Sequence, residues 1–232
     1  MREIDDDLTT FAGPEGIYRF RVMPFGLVNA TATFSRIMRK LLRGLRNIKN
    51  YLDDVLSHTA GWTEHPVILR LFFQRVREAN LSLKPSKCFI GYTSLVYLGH
   101  NLGQDTLAPN DNLVQKIRLA PLPTSKKQLR SFLGLVGYYR AFVPHFAAIA
   151  APLTDLTKKG SPDKLVWTET HEQAFQALKE HACTQPVLCL PDVNKPFILQ
   201  TDASSDGIGA ILLQEVNWVK HPVAFASKRL LP

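Results

Sequence analysis

Residues 50–58 read NYLDDVLSH. Two aspartates stand side by side between short runs of β-prone apolar residues, which predicts a β-hairpin over Ile48 to Leu56 with Asp53 and Asp54 near its tip. If both are ionised they repel each other. One use for such a pair is to hold divalent metal ions through carboxylate oxygens. Asp-Asp is also frequent in ordinary turns, where it bonds the local backbone, so the surroundings decide its meaning.

Upstream, residues 1–22 look extended, with a turn at Gly13-Pro14-Glu15-Gly16. After Pro24 and Gly26 comes a helix whose apolar face is Phe34, Ile37, Met38, Leu41, Leu42 and Leu45, with Arg36, Arg39, Lys40 and Arg43 largely off that face. Asn29 is its expected N-cap and Gly44 its end. Downstream, a second amphipathic helix is predicted from about Glu64 to Ala79, with Val67, Ile68, Leu71, Phe72 and Val76 inward and Asn80 closing it in a left-handed conformation. Leu81–Leu83 and Leu95–Leu98 look like short strands, and KPSKCFIGY between them is basic and turn-like.

From Pro109 the pattern turns helical. One helix is expected over Asn112–Leu119, followed by PLPTS as a linker. Another starts near Thr124 or Ser125, carries Leu129, Phe132, Leu133 and Val136 inward, and ends before Pro144. AAIAAPLTDLTKKG reads as a short helix and a Lys/Gly loop, and Thr170 with Gln173 as the capping box of a helix to about Ala182. Strands follow at 196–202, 208–214 and 221–227, an antiparallel meander expected to carry one bare apolar face.

The bulk numbers set bounds. At 232 residues, 45% hydrophobic and 21% charged, the chain has the composition of a globular protein with a buried core. A net charge of +8 suits a polyanionic partner such as nucleic acid. No apolar run approaches the roughly 20 residues of a membrane span, and the polar, acidic MREIDDDLTT is no signal peptide. Cys88, Cys183 and Cys189 are an odd set without metal-ligand spacing, which fits a reducing, intracellular compartment, cytoplasmic or nuclear. The histidines at 58, 65, 100, 145, 171, 181 and 221 have no zinc spacing and are expected to be structural or at the surface.

Several stretches in order carry a resemblance. VMPFGLVNATATF (22–34) followed by YLDD (51–54), LSLKPSKC (81–88), YLGH (97–100), LRSFLGLVGYYRAFVPHFAAIAAPLTDLTKKG (129–160), LVWTETHEQAFQALKE (165–180) and PVLCLPDVNKPFILQTDASSDGIGAILLQ (186–214) resemble the reverse transcriptase and ribonuclease H region of gypsy-type LTR retrotransposon pol polyproteins. The resemblance covers essentially the whole chain. It implies an α+β fold: a partial reverse-transcriptase palm (1–108), helical thumb and connection (109–185), then the first antiparallel strands of a ribonuclease H-like domain (186–232). It implies RNA-directed DNA polymerisation by two-metal nucleotidyl transfer, coupled to cleavage of RNA in RNA–DNA hybrids. The implied cofactor is Mg2+, and the implied partners are an RNA template, a DNA primer, RNA–DNA hybrid and deoxynucleoside triphosphates.

By the same resemblance Asp53 and Asp54 are metal-binding catalytic residues of the polymerase, and Asp202 is the first metal-binding carboxylate of the ribonuclease H. Tyr51 and Leu52 pack beneath the primer end, Phe25 and Gly26 lie beside the incoming nucleotide, Lys87 lies near its phosphates, and Leu98 and Gly99 belong to the primer-grip hairpin. The family's polymerase site has a third aspartate on an earlier strand, and Asp5, Asp6 and Asp7 do not match it. Of the four or so ribonuclease H carboxylates only Asp202 is matched. Thr31 stands where proline is usual, Val96 where glutamate is usual, and Ser57 where an apolar residue is common. These departures predict a chain inactive by itself, since a two-metal site acts as a unit. The alternatives are a non-catalytic nucleic-acid-binding remnant and a non-functional reading frame.

Overall fold

In the computed structural model residues 9–24, 26–184 and 187–230 are described. Asp5, Asp6, Asp7 and Phe25 therefore lie outside the described residues. The chain divides into two compact units, 1–91 and 92–232.

The first unit begins with a small antiparallel hairpin, β1 (Phe11–Gly13) with β2 (Gly16–Tyr18), around the expected turn. Helix α1 (Ala30–Leu41) forms where the spacing predicts it and buries Met38, whereas Ile37, expected on the inward face, is 46% exposed. The hairpin β3 (Ile48–Tyr51) with β4 (Asp54–Ser57) comes next, then α2 (His65–Glu78). Met38, Leu42, Ile48, Ile68, Phe72 and Val76 form the core, so one face of each helix packs with the foot of the hairpin. The Arg75 guanidinium donates to the Leu41 carbonyl at 3.1 Å, satisfying one acceptor at the C-terminal end of α1.

The strand expected at Leu81–Leu83 does not form. Asn80 takes φ +53, the Leu81 N–H reaches back to the Val76 carbonyl at 3.0 Å and the Asn80 N–H to Arg77 at 3.0 Å. This is a Schellman-type closure, and Leu81 packs on the core as its hydrophobic contact. A single 3-10 turn, Pro85–Lys87, follows.

The second unit opens with β5 (Leu95–Tyr97), β6 (His100–Leu102) and β7 (Thr106–Pro109), an antiparallel meander. Four helices follow: α3 (Asp111–Arg118), α4 (Lys126–Gly137), α5 (Phe146–Asp155) and α6 (Glu169–Cys183). Asn110 caps α3 and Ser125 caps α4 through their side-chain oxygens. The box on α6 is Thr168 with His171, not Thr170 with Gln173: the Thr168 N–H donates to His171 Nδ1 at 3.2 Å. Gln173 instead bonds Glu169 one turn back.

The PLPTS stretch is no free linker. Pro123 is buried, its carbonyl accepts from the Trp167 indole at 2.8 Å, and the Lys179 ammonium donates to the Ala120 carbonyl at 2.9 Å. The core runs through all four helices, with Ile117, Leu129, Phe132, Val136, Tyr139, Phe142, Leu153, Phe175 and Leu178 among its members.

After α6 a two-residue strand, β8 (Leu188–Cys189), joins the first sheet beside β7, with Thr106 opposite Cys189. The final sheet has the order β11-β10-β9, from β9 (Ile198–Ala203), β10 (Gly207–Val216) and β11 (Val219–Arg229). Pro222 is tolerated in β11 because that strand is an edge, next to a bulge at Leu212/Leu213. One face of this sheet meets α5: the Ala147 N–H donates to Ser227 Oγ at 2.8 Å and Phe225 reaches the core. The opposite face carries Leu199, 64% exposed, and Ile208, 44% exposed.

Candidate active site

The hairpin of the first unit pairs Tyr51 with Asp54, so Leu52 and Asp53 form a two-residue turn. Leu52 has φ +55, whereas Asp53 is not in the left-handed region. Positive φ at the first turn residue only is the type II′ pattern, whose twist suits antiparallel strands and which ordinarily has glycine there. A leucine in that conformation costs about 1–2 kcal/mol, and strain of this kind gathers at functional sites. Its consequence is local: Asp53 occupies the turn and Asp54 the first ladder position, both exposed. Among the described residues neither carboxylate enters a salt bridge. Tyr51 is also exposed, at 56%.

The other sequence-assigned residues of this unit lie elsewhere. Gly26 has φ +88 with open space where a Cβ would stand, a backbone conformation that glycine adopts without penalty. Lys87 ends the 3-10 turn and is exposed.

Two adjacent carboxylates suit Mg2+ in donor type, since Mg2+ takes hard oxygen ligands and is commonly held by one or two protein carboxylates plus substrate phosphates and water. Among the described residues there is no group of three or more His, Cys, Asp or Glu side chains arranged for a metal.

In the second unit, Leu98 and Gly99 form the two-residue turn between β5 and β6. Both are left-handed, with φ +47 and +70, the type I′ pattern. A Cβ on Gly99 would stand 3.3 Å from the Tyr138 ring. Both turn carbonyls are held from the end of α4. Tyr138 donates its hydroxyl to the Leu98 carbonyl at 2.5 Å, and Tyr139 donates to the Gly99 carbonyl at 2.6 Å. The Asn110 N–H adds a bond to Gly99 at 3.1 Å.

His100 Nδ1 lies 2.8 Å from the Leu98 carbonyl, so that nitrogen carries the hydrogen, and its ring stacks on Phe142 at 5.7 Å. Among the described residues the N–H groups of Leu98 and Gly99 donate to no protein acceptor. Burial pushes the Tyr139 phenol above its ordinary value, against the lowering effect of the Asn110 backbone. Sequence patterning assigns Tyr138 and Tyr139 no functional role and places His100 among the structural or surface histidines. The signal available was the Tyr-Tyr pair itself, because a buried phenol needs a partner for its hydroxyl.

Asp202 sits on β9 opposite Gly209, which in turn faces Ser227. This is the face toward α5. A cleft of about 560 Å³ opens there, lined among others by His145, Asp155, His171, Asp202, Asp206 and Arg229. His145 precedes α5 with φ +53, and a Cβ on Gly209 would meet its Nδ1 at 3.5 Å. Arg229 donates to both Asp155 oxygens at 2.9 Å, and Lys158 contacts the same carboxylate at 2.8 Å. The bonds from Lys158, then those from Arg229, hold the Asp155 carboxyl below its usual range. A single family-matched carboxylate at Asp202 does not make a two-metal site, and no step is derived through a metal there.

Sequence profiles match in two places. The profile of reverse transcriptase (RNA-dependent DNA polymerase) matches residues 1–102, and that of the RNase H-like domain found in reverse transcriptase matches residues 167–232. The retrovirus-related Pol polyprotein from transposon 297 of Drosophila melanogaster is 41% identical over 99% of this chain and 21% of its own length. That from transposon opus of the same organism is 35% identical over 99% and 24%, and the transposon Tf2-3 polyprotein of Schizosaccharomyces pombe is 30% identical over 99% and 17%. The chain thus spans about a fifth of the length of these relatives.

Among solved structures, the foamy viral protease-reverse transcriptase in complex with dsDNA aligns with TM-score 0.87 at 24% identity, over 100% of this chain and 48% of that one. The same protein in complex with RNA/DNA hybrid aligns with TM-score 0.86 at 23% identity, over 100% and 31%. At this identity the likeness establishes the fold, an α+β reverse-transcriptase architecture. With both profiles in order along one chain and transposon polyproteins aligned end to end with it, the chain belongs to the reverse transcriptase–ribonuclease H region of LTR retrotransposon Pol polyproteins.

Proposed function

We propose that this chain is the portion of an RNA-directed DNA polymerase that carries the palm's paired aspartates, the thumb and the entry into the ribonuclease H. The division is a partial palm over 1–108, thumb and connection over 109–185, and the first ribonuclease H strands over 186–232. The substrates are an RNA template, a DNA primer and deoxynucleoside triphosphates, and an RNA–DNA hybrid is the product to be cleaved. The observation that carries this reading is the Tyr51–Asp54 turn, where a strained Leu52 leaves two adjacent carboxylates exposed.

Asp53 and Asp54 would hold Mg2+, which when bound supplies neutralisation of phosphate charge and activation of the primer hydroxyl. Tyr51 offers an exposed ring on which the terminal primer nucleotide can rest. Gly26 allows a nucleotide to approach the backbone. Lys87 contributes positive charge for the triphosphate. The N–H groups of Leu98 and Gly99, without a protein acceptor among the described residues, are donors for a phosphate of the primer strand. The exposed Arg36, Arg39 and Lys40 of α1 favour a polyanion without regard to sequence.

The test is primer extension on an RNA template with Mg2+, comparing the chain with its Asp53→Asn variant. Extension by the wild type and none by the variant would place catalysis at the paired aspartates, whereas no extension by the folded wild type is what a site with two carboxylates predicts for the chain alone. Equal extension by both overturns the assignment of Asp53. A second reading is favoured by the lack of a third acidic ligand among the described residues. In it the chain binds duplex without synthesis, binding falls steeply with salt, and Asp53→Asn leaves affinity equal or higher.

A further inference from the structure

The turn between β5 and β6 offers a ligand backbone groups only, so its usefulness depends on which of them are already engaged. Both carbonyls, Leu98 and Gly99, are taken by the consecutive hydroxyls of Tyr138 and Tyr139, from a segment 40 positions away in sequence. Both N–H groups are left without a protein acceptor among the described residues. Tyr139 is fully buried, whereas Tyr138 is 51% exposed with its ring against Gly99. His100 closes the arrangement, bonding the Leu98 carbonyl while its ring lies among Tyr138, Tyr139 and Phe142.

A type I′ turn is stable without such support, so turn formation alone does not account for two phenols aimed at adjacent carbonyls. The Leu98 carbonyl shares its peptide plane with the Gly99 N–H, so the Tyr138 bond sets the direction of that donor, while the Tyr139 bond holds the next plane, whose N–H belongs to His100 in the ladder.

We infer that Tyr138 and Tyr139 are positioning residues for the primer strand: their hydroxyls lock the peptide planes on either side of Gly99 so that the Gly99 N–H points at a backbone phosphate near the primer 3′ end. The inference rests on the assignment of this turn to the primer under the proposed function. The tyrosines do not touch the reacting atoms. They act through the turn, and a fluctuating turn would still bind duplex but would not register its end.

The test is a cycle between protein and nucleic acid. The full chain, its Tyr138→Phe and Tyr139→Phe variants and the double variant are titrated with a primer–template duplex. The same duplex is then used with one phosphate replaced by an uncharged methylphosphonate, at each of the last few primer positions in turn.

In the wild type one such position should weaken binding roughly tenfold, the value of a hydrogen bond to a charged group. In the double variant that sensitivity should fall to within about twofold, while affinity for the unmodified duplex changes much less. A hydroxyl with a purely structural role would not make the protein blind to one phosphate. Thermal melts check the fold. If the double variant melts early, Tyr138→Phe carries the test, because its half-exposed ring is retained.

Equal phosphate sensitivity in wild type and variants overturns the inference and leaves the primer assignment standing. A wild type that binds duplex but is indifferent to every terminal phosphate overturns the primer assignment of the turn, and this inference with it.

Discussion

Among the described residues two two-residue hairpin turns carry a leucine in the left-handed region, and they are held in opposite ways. Leu52–Asp53, in the first unit, sits above a core of a few residues from α1, α2 and its own strands. Leu98–Gly99, in the second, is buttressed by two tyrosines, a histidine and a core that draws on four helices. The first turn offers side chains. A carboxylate brings its own reach and charge, so the backbone beneath it needs only to be the right shape. The second offers backbone groups, which have no rotamers to adjust, so the peptide planes themselves must be held. A site that works through main-chain donors needs support from outside the turn.

The strongest way to break this contrast is to remove the support beneath the second turn. Phe175 is 1% exposed and packs on Phe132 with centroids 4.5 Å apart. Phe175→Ala should destabilise the second unit by about 3–5 kcal/mol. Hydrogen exchange should register the loss as faster exchange at the ladder amides of residues 95–102.

A smaller pair of changes gives opposite signs. Gly99→Ala puts a methyl 3.3 Å from the Tyr138 ring at φ +70 and should cost about 1–2 kcal/mol. Leu52→Gly relieves a strained φ of +55 and should stabilise by up to about 1 kcal/mol, less whatever its half-buried side chain contributes. Denaturant midpoints read both, and equal signs would erase the distinction between the two turns.

The smallest effect is expected at Asp155. Its side chain is 37% exposed, so solvent screens the Arg229 pair, and Asp155→Asn should cost less than about 1 kcal/mol at neutral pH. Its carboxyl is lowered in the folded state. The stabilisation is therefore complete above the ordinary carboxylate value of about 3.9 and is lost as pH falls through the lowered one. The gap between wild type and variant in thermal melts should close in that acid range and narrow with added salt.

What the sequence made legible follows from how local each signal is. The hairpin at NYLDDVLSH, the helices α1 and α2 and the left-handed Asn80 are decided by residues within a few positions and form where expected, although Ile37, Val67 and Leu71, expected inward, are exposed because the small core of this unit covers only part of each apolar face. Leu81–Leu83 misled because its alternation fits a strand, while Leu81 in fact finishes the cap of α2. The box on α6 slipped by two because His171 does the work usually given to Glu or Gln. The clamping of PLPTS by Trp167 and Lys179, the β8 strand and the tyrosine pair depend on partners far along the chain, and no window of sequence contains them.

The β7–β8 pairing also sets an order of events. Thr106 and Cys189 close a loop of roughly eighty residues, an entropy cost that is met only after the intervening helices have condensed. On a ribosome, β7 emerges well before its partner and waits as an open edge, able to pair with any passing strand. The first sheet of the second unit is thus completed late, and the interval before Leu188 and Cys189 arrive is when a nascent chain of this kind is most exposed to mispairing.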